Sequence, residues 1–548
     1  MALRKFVIGA CGLSLLAVAS ITFAGAKSVV LEETVDFSPH AGAQHPSVPL
    51  WGDTHVHSSL SLDAFGYGAR LGPDAAFKFA RGEEVISSTG QPARLARPLD
   101  FLVLADHSEA LGMMEQVRLG NPELLKDKDA KSWNDLMNGG PEGLKKLSTM
   151  WFETKVRRGA FAKLIEISTD DLQRSVWQNS VEIAESHNTP GQFTSLLGYE
   201  WTSGPGGSNL HRVVIFRDDA DKVAPVLPYT FTESDRPEDL WKYLAKYEKE
   251  TGGNALAIPH NGNISNGLMF PNGDTYGGSN VYDKDYLAAR TRWEPVVEVT
   301  QMKGDGEAHP LLSPDDEFAD YDTWDFGNFS GVPKTNEMLP QEYARSALKT
   351  GLEIEAKSGT NPYQFGMIGS TDTHTALATA EEDNFFGKLA LQEPGAGRWK
   401  SGGGGVPLWK MVASGYAAVW ANENTRASIF DAIKRREVYA TTGPRIPLRL
   451  FGGWGFKAHD AARSDAVNYG YANGVPMGGE LNKAPKGKAP ALMITANKDP
   501  LGPNLDRVQV VKGWIDSAGQ SHEKVYDVAW SGERTLNKAG KLPAVGNT

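Results

Sequence analysis

Residues Asp53 to Asp63 read D-T-H-V-H-S-S-L-S-L-D, just after a short run that reads as the entrance of a strand. Side chains of an extended chain alternate between faces, so His55 and His57 point the same way and can reach one metal ion together. Asp63, six residues past His57, falls beyond the strand end in a loop, from which a carboxylate can fold back on the same cleft. A lone H-x-H pair is as often chance as a site. The rest of the chain decides.

Further apolar runs stop at residues of the same kind. Pro98 introduces L-D-F-L-V-L-A-D-H, in which Phe101 to Ala105 is continuously apolar, the signature of a strand buried on both faces, with Asp106 and His107 at its C-terminal end. Residues 193–200, F-T-S-L-L-G-Y-E, end in Glu200, and after a Gly-rich link N-L-H-R-V-V-I-F enters another strand at His211. A-L-A-I-P-H-N ends in His260. P-V-V-E-V-T-Q carries Glu298 and runs on to Lys303, Glu307 and His309, and G-M-I-G-S-T-D-T-H-T ends in Asp372 and His374. Ligands and catalytic groups of parallel α/β architectures collect at the C-terminal ends of strands. One His or acid there is usually a hydrogen-bonded structural residue, but core packing does not place one at the end of strand after strand. Six of the twelve histidines hold such positions: His55, His57, His107, His211, His260 and His374. The others read as surface or structural, with His309 the borderline case.

Between these strands, helical patterns fall at Pro73 to Arg81, at 237–250 and from Thr425 to Glu437. The second has Pro237 at its first turn, Ser234 or Asp235 as cap, and Leu240, Trp241, Leu244 and Tyr247 as its apolar face. The third has Asn424 as cap and Ile429, Ala432, Ile433 and Arg436 at helical spacing. V-Y-A-T-T-G-P-R then reads as a strand and tight turn closing a barrel. The polar stretch 112–172 reads as a helical insertion over the barrel mouth. G-G-G-G at 402–405 lacks the Lys-Ser/Thr of a phosphate loop and reads as a flexible connector or lid hinge.

The 548 residues are too many for one ordinary core and suggest a large domain plus a smaller one, and a hydrophobic content of 40% is that of a soluble globular protein. Arg4 and Lys5, the apolar run Phe6 to Phe23 and the small residues Ala24-Gly25-Ala26 form an export signal over residues 1–26, with the mature chain starting near Lys27; an uncleaved anchor is the minor alternative. An exported, periplasmic or secreted protein without stable membrane insertion is expected. Cys11, the one cysteine, lies within that signal, so the mature chain has no disulfide and no Cys nucleophile. A transition-metal site must then use His and carboxylate ligands. The formal charge of −11, which grows more negative once Arg4 and Lys5 are removed, argues against binding nucleic acid or an anionic membrane.

H-x-H followed by an acid, then D-H, G-Y-E, P-H-N and S-T-D-T-H in this order resemble the PHP superfamily, named for its polymerase and histidinol-phosphatase members, and within it the exported branch known as a domain of unknown function. The resemblance runs from about residue 50 to 446 and includes the late blocks S-G-Y-A-A-V-W-A-N-E-N-T-R and R-R-E-V-Y-A-T-T-G-P-R. It implies an α/β fold, a distorted barrel of seven β/α units over 27–446, with a trinuclear metal site at the strand ends. Carried over, the pattern puts one metal on His55, His57, Glu200 and Asp372, and a second on the bridging Glu200 with His211 and His260. A third falls to Asp63, His107 and His374, with Asp63 where some members use histidine. Ligand type alone does not choose among Zn, Mn and Fe.

Two or three close cations activate water and stabilise oxyanion charge, so the expected activity is hydrolysis of a phosphoester or related small anionic ester. Glu200, as the bridge, and Asp372 or His374, in proton transfer, are the candidate catalytic groups. Arg212, Lys303 and Arg445 are candidates for holding the substrate anion, with Trp201 shaping the pocket. Hydrolysis of an amide or sulfate ester, or a non-catalytic metal- or ligand-binding role, are the alternatives. Past Ile446 strand patterns recur at Leu448 to Phe451, Ala491 to Ala496, Val508 to Ile515 and Val525 to Trp530, so 447–548 is expected to be a smaller β-rich region. Its final G-N-T is a turn signal with no strand after it, which suggests a truncated region with an exposed edge.

Overall fold

The computed structural model describes residues 44–548 except 141, 144–145, 148–149, 151–152, 400–407, 413, 539, 544 and 546–548. The expected export signal and the Gly402–Gly405 connector lie outside the described residues.

Nine strands build the frame: β1 (Leu50–Val56), β2 (Phe101–Leu104), β3 (Thr194–Trp201), β4 (Arg212–Phe216), β5 (Ala255–Pro259), β6 (Val296–Gln301), β7 (Gly366–Gly369), β8 (Ala417–Val419) and β9 (Val438–Ala440). Seven form one sheet in the order β9-β8-β1-β2-β3-β4-β5, and β7 and β6 pair in a second with the short strand Gly304–Asp305. The second sheet lies against the first at both ends, β6 beside β5 and β7 beside β9, so the first sheet is curled around a common interior.

The fold is α/β as expected, with a curled sheet of mixed direction in place of the expected distorted barrel of seven β/α units. Neighbours β1, β2 and β3 are parallel, but β4 runs antiparallel between β3 and β5, and β8 antiparallel between β1 and β9. The reason at β4 is chain length. Only the Gly-rich residues 202–211 join β3 to β4, fewer than the dozen or more that a parallel crossover needs.

The interior is filled by every second residue. Phe101, Val103, Leu196, Val213, Ile215, Leu256, Ile258, Val296, Ile368, Ala417 and Val419 form one buried cluster. The intervening residues, among them Leu102, Leu197, Tyr199, Val214 and Ala257, pack in a separate cluster outside. There they meet the helices α1 (Pro73–Ala80), α2 (Asp170–His187) and α3 (Pro237–Thr251) through Phe77, Trp177 and Leu240. Helix α4 (Ala344–Ser358) adds Ala347 and Ile354 to this outer cluster, whereas α5 (Arg426–Lys434) gives Ile429, Phe430, Ala432 and Ile433 to the interior. Arg426 donates to the Ser195 carbonyl, 2.7 Å away at the start of β3, so α5 closes the end of the interior where β3 begins.

Two caps differ from expectation. Helix α5 is shorter than 425–437, and Thr425 caps it by accepting from Ser428 N–H, because Asn424 is engaged with Thr194 and the Asp100 carbonyl. Arg236 occupies the cap position of α3, while Ser234 bonds Asp239 and the Arg236 N–H. Helices Met113–Arg118, Lys128–Met137 and Thr154–Ile167 occupy the expected insertion.

Beyond the frame lie a sheet of β10 (Leu448–Gly453), β11 (Ala491–Ala496) and the short strand Val475–Pro476, and a hairpin of β12 (Arg507–Ile515) and β13 (Ser521–Trp530). The hairpin packs on α4. Among the described residues, no helix is long and apolar enough to cross a membrane.

Candidate metal centre

The same alternation that fills the interior builds the site. Continuing each inward-facing row toward the open end gives Phe101-Val103-Ala105-His107, Leu196-Gly198-Glu200, Leu256-Ile258-His260, Val296-Glu298 and Ile368-Ser370-Asp372. Because β4 is antiparallel, its row runs the other way, Ile215-Val213-His211, and His211 arrives at the same end. His55 and His57 complete the layer from β1, with His374 beside Asp372. Gly198 lets β3 and β4 approach closely beneath Glu200, since a Cβ there would stand 2.5 Å from the Val214 carbonyl oxygen.

The donor atoms converge. Nε2 of His55 and His57 are 3.1 Å apart, and each is 3.3 Å from Glu200 Oε2. Asp372 Oδ1 lies 3.7 Å from His55 Nε2 and 3.2 Å from His57 Nε2. An ion with metal–nitrogen distances of about 2.0–2.1 Å spaces tetrahedral ligand atoms about 3.3 Å apart, so these separations suit one cation. Nearby, His107 Nε2 is 3.3 Å from both Asp63 Oδ2 and Glu200 Oε2, His374 Nε2 is 2.8 Å from Asp63 Oδ2, and His211 Nδ1 is 3.1 Å from Glu200 Oε1. Four overlapping triads have spacing suitable for metal ions: His55-His57-Glu200, His57-Asp372-His374, His57-Asp63-His107 and His107-Glu200-His211. His260 stands beside them, its ring 5.2 Å from that of His211.

Outer hydrogen bonds fix which ring nitrogen faces inward. His55 Nδ1 lies 3.1 Å from both oxygens of Glu298 and donates to that carboxylate. Ser61 Oγ donates to Asp63 Oδ1 at 2.8 Å, so it accepts from His57 Nδ1 at 2.9 Å. Thr202 Oγ1 likewise donates to Glu109 Oε2 at 2.6 Å and accepts from His107 Nδ1 at 2.8 Å. All three Nε2 lone pairs are thereby turned toward carboxylate oxygens, an arrangement that calls for a positive charge between them.

The electrostatics agree. Burial lowers His55 and His107, but Glu298 with Glu200, and Glu200 with Asp63, outweigh it and hold both at about 9. The reverse holds for His57 and His260, which burial keeps well below the usual histidine range. Burial opposes ionisation of Glu200, yet His107, His55 and His211 hold it well below the usual carboxylate range. Both nitrogens of fully buried His260 lack a hydrogen-bond partner among the described residues. An unpaired buried imidazole is costly, and a cation is the partner its lone pair suits. Asp372 sits at φ 49°, a left-handed conformation that strains a side chain with a Cβ. The residues present therefore fit a cluster of divalent cations.

The sequence brings His55, His57, Asp63, His107, Glu200, His211, Asp372 and His374 into contact distance, with His260 at their edge. Lys303 Nζ also lies in this group, paired with Asp372 Oδ2. Three other expectations are corrected. Arg212 and Trp201 follow His211 and precede Thr202 on strands, so they face away from the site. The Arg212 side chain is 1% exposed and ion-paired to Glu294 at 3.0 Å, while Trp201 is fully buried and donates to the Ser234 carbonyl at 3.2 Å. Arg445 donates to the carbonyls of Pro98 and Arg97, both at 2.7 Å, which commits its guanidinium to the frame. His309 pairs with Asp325 at 3.3 Å, apart from the cluster.

Sequence reasoning missed Lys388. Its Nζ reaches Asp372 Oδ1 at 2.7 Å and His374 Nδ1 at 3.0 Å, and also the Asp372 carbonyl. It comes from an irregular segment with no periodicity to announce it. Burial drives Lys303 well below the usual lysine range and Lys388 down to about 7.

Residues 44–548 match the family described as Protein of unknown function (DUF3604), and the chain belongs to that family. The likeness that the motifs carry to the domain-of-unknown-function branch of the PHP superfamily agrees with this membership. No curated protein matches the chain. Among solved structures, a two-domain protein containing a predicted PHP-like metal-dependent phosphoesterase from Bacteroides vulgatus ATCC 8482 is similar at 12% identity and a TM-score of 0.30, over 73% of this chain and 68% of that one. A likeness so loose bears no weight for either the fold or the chemistry of this chain.

Proposed function

We propose that this protein is a metal-dependent hydrolase that acts on a phosphoester or a related small anionic ester. The observation that carries the reading is the convergence of three Nε2 lone pairs on Glu200, Asp372 and Asp63 in a buried layer. His55, His57, Glu200 and Asp372 would hold one divalent ion, Glu200 with His211 and His260 a second, and Asp63 with His107 and His374 a third. Zn, Mn and Fe all suit this donor set.

When bound, such ions activate water near neutral pH and stabilise developing oxyanion charge. The chain's own residues do the rest. Glu298, Ser61 and Thr202 hold the inward tautomers of His55, His57 and His107. Lys303 and Lys388 contact the two oxygens of Asp372 and hold its carboxylate in place. Asp63, His107 and His211 are the ligands with partly exposed side chains, and the Ala105, Val103 and Ile258 layer beneath keeps water out of the far side. The export signal read in the sequence supports a reaction outside the cytoplasm, and the net negative charge supports a small molecule rather than nucleic acid as its substrate.

Elemental analysis of protein purified without chelator tests this, together with hydrolysis of a panel of phosphate, sulfate and amide substrates. Two to three equivalents of metal, about one fewer in Asp63→Ala and in His211→Ala, and turnover of an anionic ester are expected. Metal that is substoichiometric, unaffected by either substitution and not restored by added Zn, Mn or Fe overturns the reading.

A further inference from the structure

The ligands with partly exposed side chains mark where the metal centre meets solvent, and aromatic side chains flank two of them. Beside His107, the carboxylate of Glu109 that holds Thr202 against the His107 ring also accepts the Phe231 N–H, at 3.0 Å. The Phe231 ring is stacked on that of Phe161, with centroids 5.7 Å apart. Phe161 belongs to helix Thr154–Ile167, so the insertion reaches the metal centre at this point.

Beside His211 the wall comes from a second segment. Residues 306–338 form neither helix nor strand, yet their second half is fastened at two places. Lys334 Nζ pairs with Glu342 at 2.9 Å and donates to the carbonyls of Trp324 and of Asn263, three residues after His260. Asn328 donates to Ser208 Oγ at 3.2 Å and the Phe329 N–H to the Gly207 carbonyl at 3.0 Å, both on the link from Glu200 to His211. Gly207, at φ 90°, permits that approach, since a Cβ there would stand 2.6 Å from the Ser330 nitrogen. On this fixed loop Phe326, Phe329 and Val332 remain 45%, 58% and 44% exposed. Arg158, one turn before Phe161 on the insertion helix, donates to Ser330 Oγ at 3.3 Å, so one helix joins the two walls.

Single exposed apolar side chains are ordinary. A group of them on an anchored loop beside a buried polar cluster is what a small-molecule site looks like, an apolar wall next to a few converging polar groups. Three half-exposed side chains of this size offer roughly 250 Å² of apolar surface, far below the about 800 Å² a side that a stable protein interface takes, so the surface fits part of a small molecule. We propose that Phe231 and Phe329, with Phe161 and Phe326 behind them, form a subsite for the leaving group, and that the substrate is an ester of an aromatic or bulky apolar alcohol. The inference rests on the metal-hydrolase reading and deepens it: the cluster takes the anion, and the aromatic walls take the alcohol joined to it.

The test uses the full chain, metal-loaded, and two anions that cannot be hydrolysed, methylphosphonate and 2-naphthylmethylphosphonate, at a pH where both are dianions. Calorimetric affinity and metal content are measured in the wild type, in Phe231→Ser and Phe329→Ser, and in Leu501→Ser, which removes an exposed apolar side chain from the region after Ile446. The wild type is expected to bind the naphthyl compound about tenfold or more tightly than the methyl one. Phe231→Ser and Phe329→Ser are each expected to remove most of that advantage, and Leu501→Ser to keep it in full. Where Phe231→Ser loses metal, Phe329→Ser, on a separate loop, decides alone. Equal affinity for the two anions in the metal-loaded wild type overturns the subsite and leaves the hydrolase reading standing. A naphthyl advantage that survives in Phe329→Ser, or that Leu501→Ser abolishes, also overturns it. A wild type that takes up no metal and binds neither anion overturns the hydrolase reading, and the subsite falls with it.

Discussion

Glu298 presents both carboxylate oxygens to Nδ1 of His55 at 3.1 Å, and Gln301 Nε2 holds one of them at 2.6 Å. The contact is wholly buried, and it turns the His55 Nε2 lone pair toward Glu200 and Asp372. A carboxylate behind a ligating histidine fixes the ring and raises its basicity, and its loss commonly weakens metal binding about 10–100-fold. Glu298→Gln is therefore expected to weaken the tightest metal by that factor in chelator competition, with little change in fold. Unchanged affinity would mean that His55 does not ligate.

His260 gives a prediction whose sign depends on the metal. Its ring is buried and held well below the usual histidine range, and neither nitrogen has a hydrogen-bond partner among the described residues, a situation that costs about 1–3 kcal/mol. His260→Leu should relieve that cost in the metal-free protein and forfeit a ligand in the loaded one. Urea unfolding in chelator is expected to show the variant as stable as the wild type or more so. With saturating metal the order reverses, because the wild type gains more from binding: a ligand at a thousand times its Kd adds about 4 kcal/mol. A variant less stable than the wild type in chelator would show that the His260 nitrogens are satisfied without metal.

Much of this site was legible because strands have a period of two. The rows ending in His107, Glu200 and His260 carry no polar side chain at an inward position until the last, and that interruption is visible in a string of letters. The same rule explains the misreadings. Trp201 and Arg212 neighbour Glu200 and His211 in sequence, yet adjacent strand residues face opposite ways. Lys388 was invisible because loops carry no period, and only the fold brings it to Asp372 across sixteen residues. The reversed strands were hidden for another reason: an apolar run does not state its direction. Only the shortness of the 202–211 link does so.

Arg212 offers a direct check on that correction. Its guanidinium and that of Arg290 flank Glu294, at 3.0 and 3.1 Å, and Trp241 also donates to this carboxylate at 3.0 Å. Breaking a buried pair by removing one partner costs about 3–5 kcal/mol. Arg212→Met is expected to lower stability by roughly the lower end of that range while leaving KM for the anionic ester unchanged in the folded fraction. A raised KM with normal stability would return Arg212 to the substrate.

Asp499 ties the region after Ile446 to the frame, and its pH dependence follows from its partners. Arg97 grips it with two nitrogens, each at 2.7 Å, and the N–H groups of Arg445 and Leu501 donate at 2.7 and 3.0 Å. Burial alone would raise this carboxyl, but these contacts outweigh it and hold it at about 2, below its ordinary 3.8. A carboxyl depressed by folding contributes stability that is fully present above its unfolded value and disappears as pH falls through the folded one. The depression corresponds to about 2 kcal/mol. Asp499→Asn is therefore expected to lose about that much at pH 7 in urea unfolding, with the gap to the wild type closing between about pH 4 and pH 2. Acid should also weaken the wild type's hold on the region after Ile446, seen as faster amide exchange in β10 and β11 than in β2 and β3. A gap that stays constant down to pH 2 would place the stabilisation in the shape of the contact, because only a charge contribution is lost on protonation.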